Sequence, residues 1–407
     1  MLRRERTPPF VHLLRCGTSG PARRLEAHIE QQTVLELPRM TLSRPNFRKT
    51  PTAAAIFAGA LVLGACSDDL VSFGPEDDPE IQCSIDSSKI LSGQRKDGIP
   101  ALTNPELASE GAPGTEYLLD TDRVIGIVLD GEPIAIPLNI MWWHEIVNLD
   151  GAQSSVAVSH CPLTGSSLAF DRGNVGDSEF GVSGLLFQTN LIMYDRSGDN
   201  ESLWPQMLRG ARCGPSDGTP LPMVSIVEVT WAGWKWLHPD TKVVTSNTDY
   251  TRDYRSYPYG FYDRTSNNDL LFPIGQTIDS RREPKERVLG VPDGTGGMAF
   301  PFGALADLGD VAVVEGETST ERFVILWEAE RQGAMAYRPV LDGAPITMQV
   351  VNGQITDVET GSVWRMDGVA TNGPLDGRAL EPVADAFVAF WFAWPAFYPD
   401  LELWSAS

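Results

Sequence analysis

The chain has 407 residues, with 32 Lys and Arg against 54 Asp and Glu, a formal net charge of −22 at pH 7. That length holds two ordinary domains, and that charge repels nucleic acid and anionic headgroups, which excludes polyanion binding as the function. No apolar run reaches the 18 residues that a spanning helix requires.

Residues 1–39 look like no domain and read as an extension ahead of the true start at Met40. Residues 40–65 have the layout of a signal peptide: Arg44, Arg48 and Lys49 form a basic stretch, and apolar and small residues then run from Ala53 to Ala65. Leu63-Gly64-Ala65-Cys66 resembles a lipobox, in which Cys66 is lipidated and becomes the mature N-terminus. The plainer alternative is an ordinary signal peptide with a chance Cys. Acyl chains on Cys66 would hold the chain on the extracytoplasmic face of a membrane, in the periplasm or at the cell surface. Ten of the basic residues and four of the acidic ones precede Cys66, which leaves 22 and 50 beyond it and a net charge of −28. Three cysteines follow the anchor, Cys83, Cys161 and Cys213. In an oxidising compartment an odd count leaves one thiol free, metal-bound or paired with another chain.

Residues 66–96 are polar and acidic and read as a flexible tether. From Asp97 onward, short apolar runs alternate with Gly, Pro, Asn and Asp, a β-rich pattern. Strands are expected at Val124–Leu129 and Ile134–Leu138 around an Asp130-Gly131 turn, at Ser155–His160 and Ser167–Asp171, and at Phe180–Leu186 and Leu191–Tyr194. A Trp-rich helix follows at about 228–237, stopped by Pro239. Residues 246–285 form a Tyr-rich connector.

The second half repeats the first. Arg123-Val-Ile-Gly126 recurs as Arg287-Val-Leu-Gly290, Ala169-Phe170 as Ala336-Tyr337, and Asn190 and Asp195 as Asn352 and Asp357. Trp204 recurs as Trp364, Trp234 as Trp394 and Pro239-Asp240 as Pro399-Asp400, with a second Trp-rich helix at about 384–394. The expected fold is mainly β with short helices, a β-rich α+β class. It consists of two tandem copies, 97–245 and 286–407, of a small β-barrel or sandwich-like unit packed as a pseudo-symmetric pair.

The second copy serves as a control for the first. Residues that reappear, such as Trp204/Trp364 and Trp234/Trp394, read as core, and His238 matches Tyr398 in a structural role. The His/Cys cluster does not reappear. His144-Glu145 align near Leu308-Gly309, His160 with Trp327, Cys161 with Glu328 and Cys213 with Asn372. Alternation puts Val156, Val158 and His160 on one strand face and Ala157, Ser159 and Cys161 on the other. His160 therefore reads as a packing residue. Cys161, at a strand end before Pro162, reads as an exposed thiol, with a buried small hydrophobe as the plain alternative.

Asp97-Gly-Ile-Pro-Ala-Leu-Thr-Asn-Pro105, Trp143-His-Glu-Ile-Val-Asn148, Cys161-Pro-Leu-Thr-Gly165, Phe180-Gly-Val-Ser-Gly184, Met193-Tyr-Asp-Arg196 and Ser202-Leu-Trp204 resemble the signature of the bacterial and archaeal family catalogued as domain of unknown function 3179. The resemblance runs from about residue 97 to the C-terminus and implies no mechanism. Many members carry a second Cys where this chain has Thr164, which weakens a CxxC redox or two-thiolate reading here.

Three functions compete. In the first, His144 and Cys161, with Cys213 and with His160, Met193 or Glu145 as further candidates, hold zinc or copper. In the second, Cys161 is a nucleophile, His144 its base and Glu145 or Asp195 the orienting group. In the third, an acidic, Trp-rich surface binds a glycan, peptide or protein, and Cys161–Cys213 is a plain disulfide. No phosphate loop, Gly-x-Ser-x-Gly elbow or basic groove is present.

Overall fold

The computed structural model describes residues 82–406. The start at Met40, the signal peptide and lipidated Cys66 lie outside them. The expected tether is tied down over its described part: β1 (Ile90–Ser92) pairs with the strand Phe180–Phe187, and Cys83 forms a disulfide with Cys213.

In the first half, β2 (Arg123–Leu129) and β3 (Glu132–Pro137) form the expected hairpin over Asp130-Gly131, both at positive φ. Helix α1 (Leu138–His144) and strands β4 (Ile146–Asp150), β5 (Ser155–Cys161) and β6 (Ser166–Asp171) follow. Next come β7 (Phe180–Phe187), β8 (Asn190–Asp195), β9 (Val227–Thr230), α2 (Trp231–Leu237) and β10 (Lys242–Val244). The Trp-rich helix is thus shorter than expected. Val-Glu-Val-Thr pairs with β2 instead, and Thr230 caps α2 by accepting from the Gly233 N–H at 3.1 Å. Residues 246–285 carry no helix or strand.

The second half has β11 (Arg287–Asp293), β12 (Gly296–Pro301), α3 (Phe302–Ala306), β13 (Val311–Glu317), β14 (Arg322–Glu328) and β15 (Gly333–Tyr337). Then come β16 (Met348–Val351), β17 (Gln354–Asp357), β18 (Phe387–Phe390), α4 (Ala393–Phe397) and β19 (Asp400–Leu403).

The same strand orders occur in both halves: β9-β2-β3-β10 and β18-β11-β12-β19, each ending on a parallel pair, and β4-β5-β6 and β13-β14-β15. Among the described residues each sheet is open, so the barrel alternative gives way to packed open sheets. The halves exchange edges. Ser167 of β6 pairs with Val388 of β18, and the Phe390 N–H donates to the Thr164 C=O at 2.8 Å. Conversely, the Thr230 N–H donates to the Arg331 C=O at 3.1 Å.

Paired supports hold both halves. Glycines let an indole lie flat on a strand: a Cβ on Gly126 would stand 2.2 Å from Trp234, and one on Gly290 2.3 Å from Trp394. Asp195 accepts the Trp204 Nε1–H at 2.7 Å, and Asp357 accepts that of Trp364 at 3.0 Å. Asp195 is therefore an indole anchor and not an orienting group for Cys161. Among the described residues no helix is long and apolar enough to cross a membrane.

Candidate functional site

Helix α1 positions the site. Pro137 opens it with φ −65, and Leu138, Ile140 and Met141 bury its inner face. It ends at His144 because Glu145 takes a left-handed backbone conformation, φ 58, with its N–H bonded to the Met141 C=O at 2.8 Å. Eight residues beyond the equivalent Pro301, the second half has Gly309 at φ 138. Glu145 is thus a buried glutamic acid on left-handed backbone at the helix end, where the second-half helix has Asp307 at φ −63. Left-handed geometry costs a side-chain-bearing residue about 1–2 kcal/mol.

His144 is fully buried, and both ring nitrogens are engaged. Nδ1 lies 2.8 Å from the Pro100 C=O, which can only accept, so Nδ1 bears the proton. Burial pushes His144 down to about 4, so the ring is neutral and Nε2 accepts the Tyr254 hydroxyl at 2.7 Å. Tyr254 comes from the connector, and Thr248 meets its hydroxyl at 2.7 Å. His144 is thus turned toward Pro100 and Tyr254, and its only nitrogen lone pair is already spent on a tyrosine hydroxyl.

Cys161 ends β5, as expected, but it is fully buried rather than exposed. Its cover is the connector, where Tyr257, Tyr259 and Tyr262 pack on the same core, and Tyr262 is pinned by its hydroxyl to the Leu163 C=O at 2.8 Å. Burial pushes the thiol up to about 11, and the neighbouring Glu145 carboxyl acts in the same direction. Burial likewise pushes Glu145 up to about 8. Among the described residues the Glu145 carboxyl has no hydrogen-bond partner. Burial, then the charges of Glu145 and Cys161, also raise Tyr259. Cys161, Glu145 and Tyr259 therefore form one electrostatic cluster.

Behind Cys161 lies a second layer that the sequence did not reveal. Thr164, the position of the missing second Cys, bonds Ser166 at 2.8 Å and accepts from Asn190 at 2.9 Å. Gln206 accepts from Ser166 at 2.6 Å and donates to Ser159 at 2.9 Å. All five side chains are buried and partnered, and the layer fixes the turn after Cys161.

His160 faces the junction of the halves, apart from this cluster. Its Nδ1 lies 3.0 Å from Ser167 Oγ, which donates to Glu228 at 2.7 Å. Glu228 is clamped by Arg123 at 2.7 Å and Arg287 at 2.8 Å. Burial alone would raise its pKa, but the two guanidiniums outweigh that and hold it at about 2. Ser, His and Glu are all present, yet the serine gives its proton to the carboxylate and receives one from the histidine. The order is the reverse of a nucleophile–base relay, and the cluster is structural.

The structure thus sets Glu145 within electrostatic reach of Cys161, engages the His144 ring with Pro100 and Tyr254, and commits Cys213 elsewhere. Cys213 is bonded to Cys83, which removes it from a metal shell and from a bond with Cys161. Cys161 is the free thiol among the described residues. No group of three or more His, Cys, Asp or Glu side chains able to hold a metal ion occurs among the described residues. Met193 is a core residue. The expected zinc or copper set does not assemble. Tyr254, Tyr257 and Tyr259 were missed as site residues; the signal was the Tyr spacing of the connector.

No curated protein and no solved structure matches the chain. A family model does match, described as a protein of unknown function, DUF3179, over residues 96–401. That span contains β2 through the first half of β19, and with them α1, Glu145, Cys161 and the connector, so the chain belongs to the DUF3179 family.

Proposed function

We propose that the chain is an exported protein, lipid-anchored through Cys66, whose first half carries a thiol centre formed by Cys161 with Glu145 as its acid–base partner. The observation that carries this reading is Glu145: a buried residue on left-handed backbone whose carboxyl makes no hydrogen bond among the described residues and acts electrostatically on the free thiol of Cys161. Strain and an unpaired acid are retained where they serve a site. In the chemistry proposed, once Glu145 is ionised, above about pH 8, the Cys161 proton passes to its carboxylate, sulfur bonds an electrophilic carbon, and Glu145 returns the proton to the leaving group. Access requires the Tyr257–Tyr262 stretch to lift.

The Cys83–Cys213 disulfide supports export, because such bonds persist in oxidising compartments. The matched strand orders and reciprocal edge bonds support reading the halves as divergent copies, of which the first kept the site. The test is iodoacetamide labelling of Cys161 across pH in the native chain and in Glu145→Gln. The Glu145→Gln profile is expected to move to lower pH, since the neighbouring carboxylate no longer opposes the thiolate. Coincident profiles would overturn the pairing. For the anchor, Cys66→Ala is expected to move the protein from the membrane to the soluble fraction; unchanged partitioning would refute it.

A further inference from the structure

We propose that the cleft between α1 and the connector is a binding subsite for a neutral hydroxylated ring of the pyranose type. The inference stands apart from the thiol chemistry, because it uses neither Cys161 nor Glu145 and shares only Tyr257 with the thiol's cover. The cleft has a volume of about 370 Å³, within the range of small-molecule sites, and its lining includes Glu116, Asp122, Asn139, Trp142, Arg255 and Tyr257.

Asn139 carries the argument. It is 3% exposed, and its Nδ2 donates to the Tyr254 C=O at 3.0 Å and to Asp122 Oδ2 at 3.3 Å. Both partners are acceptors only, so the amide cannot be reversed without setting oxygen against oxygen. Its Oδ1 is therefore fixed, buried and without a donor. A buried acceptor left unpaired is unfavourable and calls for a donor from outside the fold. At the corresponding positions of α3 the second half has Gly303 and Ala306 in place of Asn139 and Trp142.

The surrounding chemistry selects the ligand class. Trp142 and Tyr257 meet edge to face, with centroids 4.9 Å apart at 72°, and give the cleft an aromatic wall. Arg255 is oriented by a 2.8 Å bond from Nη2 to the Glu116 C=O. The rim thus offers one cation beside two carboxylates. An organic cation would face Arg255, an anion would face Asp122 and Glu116, and a wholly apolar molecule would leave Asn139 Oδ1 unpaired. A pyranose lays its C–H face on the rings, gives hydroxyl protons to the amide and carboxylates, and accepts from the guanidinium.

The test is saturation-transfer NMR on the full exported chain. The probes are the methyl glycosides of glucose, galactose and mannose, N-acetylglucosamine, and tetramethylammonium. At least one pyranose is expected to bind. Trp142→Ala and Asn139→Leu should each weaken it by about tenfold or more. Because Trp142→Ala also removes packing, thermal melts accompany each variant, and Asn139→Leu isolates the amide. Absence of binding by every pyranose up to about 50 mM, binding unaffected by both cleft variants, or tetramethylammonium as the sole ligand would each overturn the proposal.

Discussion

Glu145→Gln tests the central feature of the site through stability alone. Glu145 is 6% exposed, and burial lifts its carboxyl from 4.5 to about 8. A carboxyl with a raised folded pKa binds its proton more tightly in the native state, so stability is lost as pH rises from the unfolded value toward the folded one. At pH 7 the unfolded chain is ionised and the folded one is mostly protonated, a penalty of about 3 kcal/mol, against a typical total of about 5–15 kcal/mol. Glutamine keeps the shape and cannot ionise. The native chain and Glu145→Gln should therefore have nearly equal stability at about pH 4 and diverge as pH rises, the variant being more stable by about 3 kcal/mol at pH 7. Glu145→Gly should add a pH-independent gain of at most roughly 1 kcal/mol, relief of left-handed strain offset by the greater freedom of glycine when unfolded. Urea and thermal melts of the three proteins across this pH range supply the measurement. A stability difference that does not change with pH would refute the picture of an unpartnered, proton-holding Glu145.

Three further outcomes are expected. Non-reducing peptide mapping should recover Cys83 linked to Cys213 and leave Cys161 free. Removing the bond, which closes a separation of 130 residues, should cost about 5 kcal/mol on the chain-entropy model, seen as a lowered melting temperature. Glu228→Gln should destabilise by about 3–5 kcal/mol, because Arg123 and Arg287 then share a buried site without a counter-charge; a neutral result would show that the clamp is dispensable. Gly126→Ala and Gly290→Ala should each cost about 1–3 kcal/mol, since each new Cβ meets an indole, and unequal effects would argue that the two halves hold their tryptophans differently.

The parts of the fold legible in the sequence were those specified locally. Asp130-Gly131 dictated a hairpin, and alternation along Ser155–Cys161 sorted Val156 and Val158 from Ala157 and Cys161, which lie in different core clusters. Helix α1 was not legible, because seven residues are too few for a helical period to declare itself. The first turn of the expected Trp-rich helix became β9, because β-branched residues beside a free strand edge pair with it.

The site shows the same division. Residue identity and the internal comparison singled out His144, Glu145 and Cys161, since none of them recurs at the matching position of the second half. The sequence by itself also determined that three cysteines could leave one thiol over. Which cysteine stayed free, which neighbour Cys161 faced and whether it was exposed were decided only by tertiary structure. The thiol's cover comes from Tyr257–Tyr262, about a hundred residues further along the chain, and the Cys83–Cys213 pair closes over 130. Turn chemistry and alternation act over a few residues and are written in the local sequence. Burial, and with it the protonation of Glu145 and Cys161, depends on what the rest of the chain lays over them.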